Sequence, residues 1–179
     1  MTSTDQLLRA ASAKTGPNPS PQKPQPRPVR MEAVEIEIVN RQRLVPVDPG
    51  ALARLARNVI LGIGKAREIS RSSGMAVAIV RSRQMRSLNR AHRSKDTDTD
   101  VLSFPAGPGH DRKGEIYLGD VVICADVALR QSSQAGLTIE REIAELLIHG
   151  VLHLAGYDHE VDNGQMSRLE LKLRRRLLG

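Results

Sequence analysis

Residues 149–159 read His-Gly-Val-Leu-His-Leu-Ala-Gly-Tyr-Asp-His and hold three of the chain's five histidines. On a helix, His149 and His153 lie one turn apart on the same face, at a separation that one zinc ion can bridge. Gly156 fits a helix stop, because glycine takes the left-handed turn without steric cost. That turn swings His159 back toward the same ion. Three neutral nitrogen ligands leave a fourth tetrahedral position open, the composition of a catalytic rather than a structural zinc site. The residues thus point to one Zn2+ per chain on His149, His153 and His159.

The spacing H-x3-H-x2-G-x2-H is shared with metzincin proteases, which carry a glutamate general base directly after the first histidine. Here that position is Gly150. Glycine cannot take a proton, so a metzincin-like peptidase is the weaker of two enzyme readings. Glu145, one turn before His149, is a candidate to support a ligand from behind, or else a solvated helix residue. Asp158 is a candidate to orient His159 or move a proton, or else a turn residue capping backbone amides. Arg93 is followed by Asp96, Asp98 and Asp100. Its guanidinium either holds a phosphate by two parallel hydrogen bonds or pairs with Asp96 or Asp98 to fix the loop. Ser103 and Cys124 have no base at a telling spacing and read as structural.

The elements that must position these groups follow from periodicity. Val34, Ile36 and Ile38 alternate with Glu35 and Glu37, the period of a half-buried strand. Leu52, Leu55, Ala56, Val59, Ile60 and Ile63 recur at helical spacing over 48 to about 70, with Asp48 as cap before Pro49. Residues 75–80 read as a buried strand, 82–93 as a basic helix, 101–104 and 116–123 as strands joined by a loop over 106–114. Three helices follow: 125–135 ending at Gly136, one from Thr138 to about 155, and 161–178. These alternations predict an α+β (α/β) sandwich: a small mixed sheet of about four strands, about five helices and a metzincin-like zinc-site helix.

The chain has 179 residues, 27 Lys+Arg against 20 Asp+Glu, and only three aromatics, Phe104, Tyr117 and Tyr157. So few rings exclude a nucleic-acid face built on stacked bases and leave charge and shape as the means of contact. The single cysteine, Cys124, excludes an internal disulfide and a cysteine-cluster zinc site. No apolar run reaches the roughly 18 residues of a membrane span, and the N-terminus lacks a secretory apolar segment. The expectation is a cytoplasmic chain without membrane contact. Six of the ten prolines lie within 17–28, among five basic residues and one acid in the first 30. Residues 1–30 therefore read as a disordered basic tail and 31–179 as a single catalytic domain. Two further basic runs, Arg81 to Lys95 and Arg168 to Arg176, suit a polyanion or the solvated face of a helix.

Four stretches together resemble the YbeY family of zinc-dependent rRNA-maturation endoribonucleases. They are the eleven-residue histidine run; Leu88-Asn89 through Arg93 and Lys95-Asp96; Thr99-Asp100-Val101-Leu102-Ser103-Phe104-Pro105; and Gly119-Asp120-Val121-Val122-Ile123. The resemblance covers about residues 34–178. It implies zinc on the three histidines, a functional arginine at Arg93, and a single-strand-specific endoribonuclease. It also implies a role in 16S rRNA 3′-end maturation and ribosome quality control, with the 16S precursor, the small ribosomal subunit and ribosomal or assembly-factor proteins as partners. Asp98 departs from the family's usual proline, which alters loop stiffness. A non-catalytic assembly factor using zinc to hold its fold is the rival outside enzymology; three histidines with an open position speak against it.

Overall fold

The computed structural model describes residues 34–67, 73–107, 111–112, 115–159 and 161–179. The expected tail over 1–30 lies outside the described residues. In chain order the elements are β1 (Glu35–Asn40), α1 (Pro49–Arg67), β2 (Ser73–Val80), α2 (Ser82–Arg93), β3 (Val101–Pro105), β4 (Asp111–Arg112), β5 (Glu115–Cys124), α3 (Ala125–Ala135), α4 (Ile139–Leu154) and α5 (Gln165–Leu177). The sheet runs β1-β2-β5-β3, with β4 also on β5. β1, β2 and β5 are parallel, whereas β3 and β4 are antiparallel to β5. Among the described residues the fold is thus the expected α+β arrangement of a mixed sheet with five helices.

Alternation along β5 divides the interior. Val121 and Ile123 point into the main core, with Val77 and Ile79 of β2, Val59 and Ile63 of α1, and Leu147, Ile148, Val151 and Leu152 of α4. Val122 and Cys124 point the other way and pack with Val80, Met85 of α2, Leu102 and Val127. α4 is apolar around most of its circumference because the sheet, α1, α3 and α5 enclose it. That burial makes α4 a rigid support for the histidines at its end.

Local signals act as the residue types require. The Asp48 carboxylate accepts from the Ala51 amide at 3.0 Å and starts α1 ahead of Pro49. Thr138 accepts from the Arg141 amide at 3.2 Å and starts α4. Two boundaries differ from expectation. The 106–114 segment contains β4, which forms a short hairpin with β5; two residues carry no periodicity to read. α5 starts at Gln165 rather than near 161, because the Asp162 carboxylate takes the amides of Gly164 and Met166 in a turn.

Candidate active site

A cavity of about 500 Å³ opens between the end of α2, the start of β3 and the end of α4. Arg93, Asp100, His149, His153, Asp158 and His159 all line it. Five of these are residues whose types and spacing suggest chemistry in the sequence, and the fold brings them to one place across more than 60 residues of chain.

The histidine wall is built by the last turns of α4 and the turn after it. Tyr157 N–H donates to Leu152 O at 3.1 Å and Gly156 N–H to His153 O at 2.9 Å, while Gly156 sits at φ 78°. This is a Schellman stop, and the buried Tyr157 side chain fastens it to the core. The chain therefore leaves α4 at a fixed angle that returns His159 to His149 and His153. The three ring centroids lie 4.7, 5.4 and 5.6 Å apart. Nε2 of His149 and Nε2 of His153 are 3.0 Å apart, and one nitrogen from each ring falls within 4.8 Å of the others. Ligands of a tetrahedral zinc with bonds of about 2.0–2.1 Å stand roughly 3.3 Å apart, so the donor set fits such an ion.

Protonation supports the same fit. Glu170, on α5, faces Nδ1 of His149 at 3.3 Å. Burial pushes this carboxyl up, but the His149 hydrogen bond and the Arg174 charge outweigh burial and hold it below its ordinary value. An ionised carboxylate only accepts, so Nδ1 donates and Nε2 keeps its lone pair toward the cluster. For His153, burial comes first and the neighbouring His149 and His159 second; together they push its imidazole below the ordinary value. It thus stays neutral, the form that coordinates a metal.

Glu145 does not touch a histidine. It accepts from Arg141 Nε at 2.7 Å and pairs with Arg174, which in turn holds Glu170 at 2.5 Å. Its link to His149 is therefore indirect, through two side chains. Arg141 continues the network to the Leu178 and Gly179 carbonyls. Sequence reasoning misses Glu170, although a signal exists: it shares the α5 stripe of Met166 and Leu173, both buried. A carboxylate on an apolar stripe needs a partner.

Gly150 occupies the position of the absent glutamate for a packing reason. A Cβ there would stand 2.7 Å from Val121 Cγ1 and 3.1 Å from Val121 Cγ2. Ser103 Oγ donates to the Gly150 carbonyl at 3.1 Å, tying α4 to β3. The position faces the sheet, so no side chain fits without displacing α4.

On the opposite wall, Arg93 ends α2 and is exposed. The loop acids are engaged elsewhere. Asp96 accepts two hydrogen bonds from Arg86, and Asp98 accepts from Ser82 Oγ at 2.5 Å and from Arg130. Asp100 takes the Val101 amide, the Thr99 hydroxyl and Gln131 Nε2. Among the described residues Arg93 has no ion pair, so its guanidinium faces the cavity uncommitted. Cys124 is buried, 3.6 Å from Ser82 Oγ and away from the cavity.

A mixed α+β sheet carrying a converging three-histidine site with an open arginine opposite defines a class of metal-binding enzyme folds. The family model described as Endoribonuclease YbeY matches residues 37–177, and the chain belongs to that family. It is similar to Endoribonuclease YbeY of Solibacter usitatus, 42% identical over 128 residues that cover 71% of this chain and 78% of the relative. A second relative, Endoribonuclease YbeY of Carboxydothermus hydrogenoformans, is 42% identical over 123 residues, covering 69% and 82%. The solution structure of TM1509 from Thermotoga maritima aligns with a TM-score of 0.51 at 25% identity, covering 80% of this chain and 89% of the other. No helix among the described residues is long and apolar enough to cross a membrane.

Proposed function

We propose that the chain is a zinc-dependent, single-strand-specific endoribonuclease acting in 16S rRNA 3′-end maturation and ribosome quality control. Family membership supports cleavage of RNA phosphodiester bonds. The observation that carries the mechanism is the uncommitted Arg93 guanidinium facing three converging imidazoles across one cavity. We assign His149, His153 and His159 as the zinc ligands. When bound, the ion supplies Lewis acidity toward a phosphate oxygen. Arg93 binds the scissile phosphate through two parallel N–H donors and stabilises the charge that develops on it. Glu170 holds His149 in the ligating tautomer, and Arg174 holds Glu170. We assign Asp158, which lines the cavity beside His159, to proton transfer, while Asp100 fixes the loop through three hydrogen bonds.

The cellular setting in this reading is the cytoplasm, with the small ribosomal subunit as the source of substrate and ribosomal or assembly-factor proteins as partners. The test incubates zinc-loaded protein with a 16S 3′-precursor fragment, single-stranded or annealed to a complement, with and without chelator. Cleavage confined to the single-stranded, zinc-loaded reaction supports the proposal; equal cleavage of the duplex or in chelator contradicts it. End groups identify the nucleophile, a cyclic phosphate for the neighbouring 2′-OH and a linear one for water.

A further inference from the structure

We propose that the arginine face of α2 is a track along which the backbone of a single-stranded RNA runs into the cavity, an inference that rests on the endoribonuclease reading. Arg83, Arg86, Arg90 and Arg93 follow one another at intervals of three, four and three residues. At 100° per residue they fall within an arc of about 80°, so the four guanidinium groups share one face. Successive rungs are about 4.5–6 Å apart along the axis, at 1.5 Å per residue. On the flank of this face, buried Met85 packs against the sheet and buried Asn89 donates to Thr97 O of the following loop, while all four arginines are exposed.

The ladder is continuous with the site. Arg83, Arg86 and Arg90 line a groove of about 740 Å³. Arg93, one turn further, lines the cavity of the histidines. α5 is as basic as α2, yet none of its residues lines that cavity. Charge complementarity therefore favours a polyanion on α2, and the near absence of aromatic rings favours its phosphates over its bases. The groove contains its own competitor. Asp96 takes two hydrogen bonds from Arg86 and lies 3.7 Å from Arg90. This pair is exposed, hence weakly held and screened by salt, so a phosphate can replace the carboxylate on the same guanidinium groups.

The test compares zinc-loaded wild type with Arg83→Gln/Arg86→Gln/Arg90→Gln and with the charge-matched Lys172→Gln/Arg175→Gln/Arg176→Gln on α5. Affinity for a 12-nucleotide single-stranded RNA with 2′-O-methyl riboses is measured by anisotropy over a salt series. Thermal midpoint and cleavage of an unmodified trinucleotide are measured on the same proteins. The α2 variant should bind the 12-mer roughly tenfold or more weakly at low salt. Its plot of log affinity against log salt should be shallower by about 2, at about 0.7 for each phosphate that the removed arginines would neutralise. Its trinucleotide cleavage and midpoint should match wild type, and the α5 variant should keep the wild-type slope. Asp96→Asn, which releases Arg86 and Arg90, should bind the 12-mer more tightly. Equal losses in the two triple variants would overturn the track, as would weaker binding by Asp96→Asn at an unchanged midpoint. Unchanged RNA affinity in the α2 variant would also overturn it and would leave an acidic protein surface as the ladder's occupant. Absence of cleavage by wild type would instead remove the endoribonuclease reading, while the binding slopes still judge the track.

Discussion

The two walls of the cavity are built on opposite principles. The histidine wall stands on α4, which is enclosed on nearly all sides, and its polar groups are tied into a chain from His149 through Glu170, Arg174, Glu145 and Arg141 to the last carbonyls. The arginine wall stands on α2, whose exposed side is a row of solvated cations ending in a guanidinium with no ion pair among the described residues. A metal site gains from ligands fixed in advance, because ordering them on binding costs entropy. Arg93, at the point nearest the histidines, carries no ion pair among the described residues, whereas Arg86 and Arg90 further along α2 are held by Asp96 in an exposed and therefore weak pair that a phosphate can replace. The contrast therefore predicts different failures on the two sides.

The largest effect is expected on the histidine wall. His153→Ala should reduce zinc from about one per chain to near zero and abolish cleavage, because two imidazoles hold the ion far more weakly than three. Elemental analysis of dialysed protein checks this. Zinc affinity should likewise fall on acidification, since a protonated imidazole cannot coordinate, with the lowered value of His153 keeping that ligand neutral further into acid. Next comes Arg93→Lys, which keeps the charge but loses the planar pair of donors. Losing a charged hydrogen bond of about 2–3 kcal/mol slows cleavage roughly 30- to 150-fold, with zinc content and midpoint unchanged. Glu170→Gln removes the carboxylate behind His149 and the charge that pairs with Arg174, and should weaken zinc affinity about 10- to 100-fold in a chelator competition. A full zinc affinity in that variant would blur the distinction between a tied wall and an untied one.

Two smaller effects concern the scaffold. Gly150→Ala places a methyl group against Val121 and should cost about 1–3 kcal/mol in denaturant unfolding, by pushing α4 off the sheet. Asp126, at the start of α3, receives hydrogen bonds from Arg81 and from the Ser82 amide, which join α3 to α2. The Arg81 hydrogen bond outweighs burial and holds this carboxyl below its ordinary value. Its contribution to stability is therefore complete above the unfolded value of about 3.9 and is lost as pH falls through the lower folded value. Asp126→Asn should be less stable than wild type at pH 7, and the gap should close in strong acid.

Legibility in the sequence follows the range of the interaction. Val121 and Ile123 alternate, Asp48 and Thr138 cap, and Gly156 stops α4; each is a local rule, and each element stands where the rule places it. The His149–His153–His159 convergence is legible because helical spacing and one turn generate it. Glu170 and Arg174 are not, since their partners lie 21 and 29 residues away and meet only when α5 packs against α4. Spacing does not separate the two readings of Arg93, because the choice depends on where Asp96 and Asp98 turn. Asp96 turns to Arg86, and Asp98 to Ser82 and Arg130. In sequence Gly150 marks a missing base, whereas the reason for glycine is the close approach of Val121 from another element.

The central claim is that the two walls act on one RNA phosphate. The most direct measurement is single-turnover cleavage of a single-stranded RNA by zinc-loaded wild type and Arg93→Ala, with zinc content and thermal midpoint read on the same preparations. The account predicts cleavage by wild type and a loss of roughly 30-fold or more in Arg93→Ala, with zinc and midpoint intact. Unchanged cleavage in Arg93→Ala, or a loss matched by lost zinc or unfolding, would contradict it.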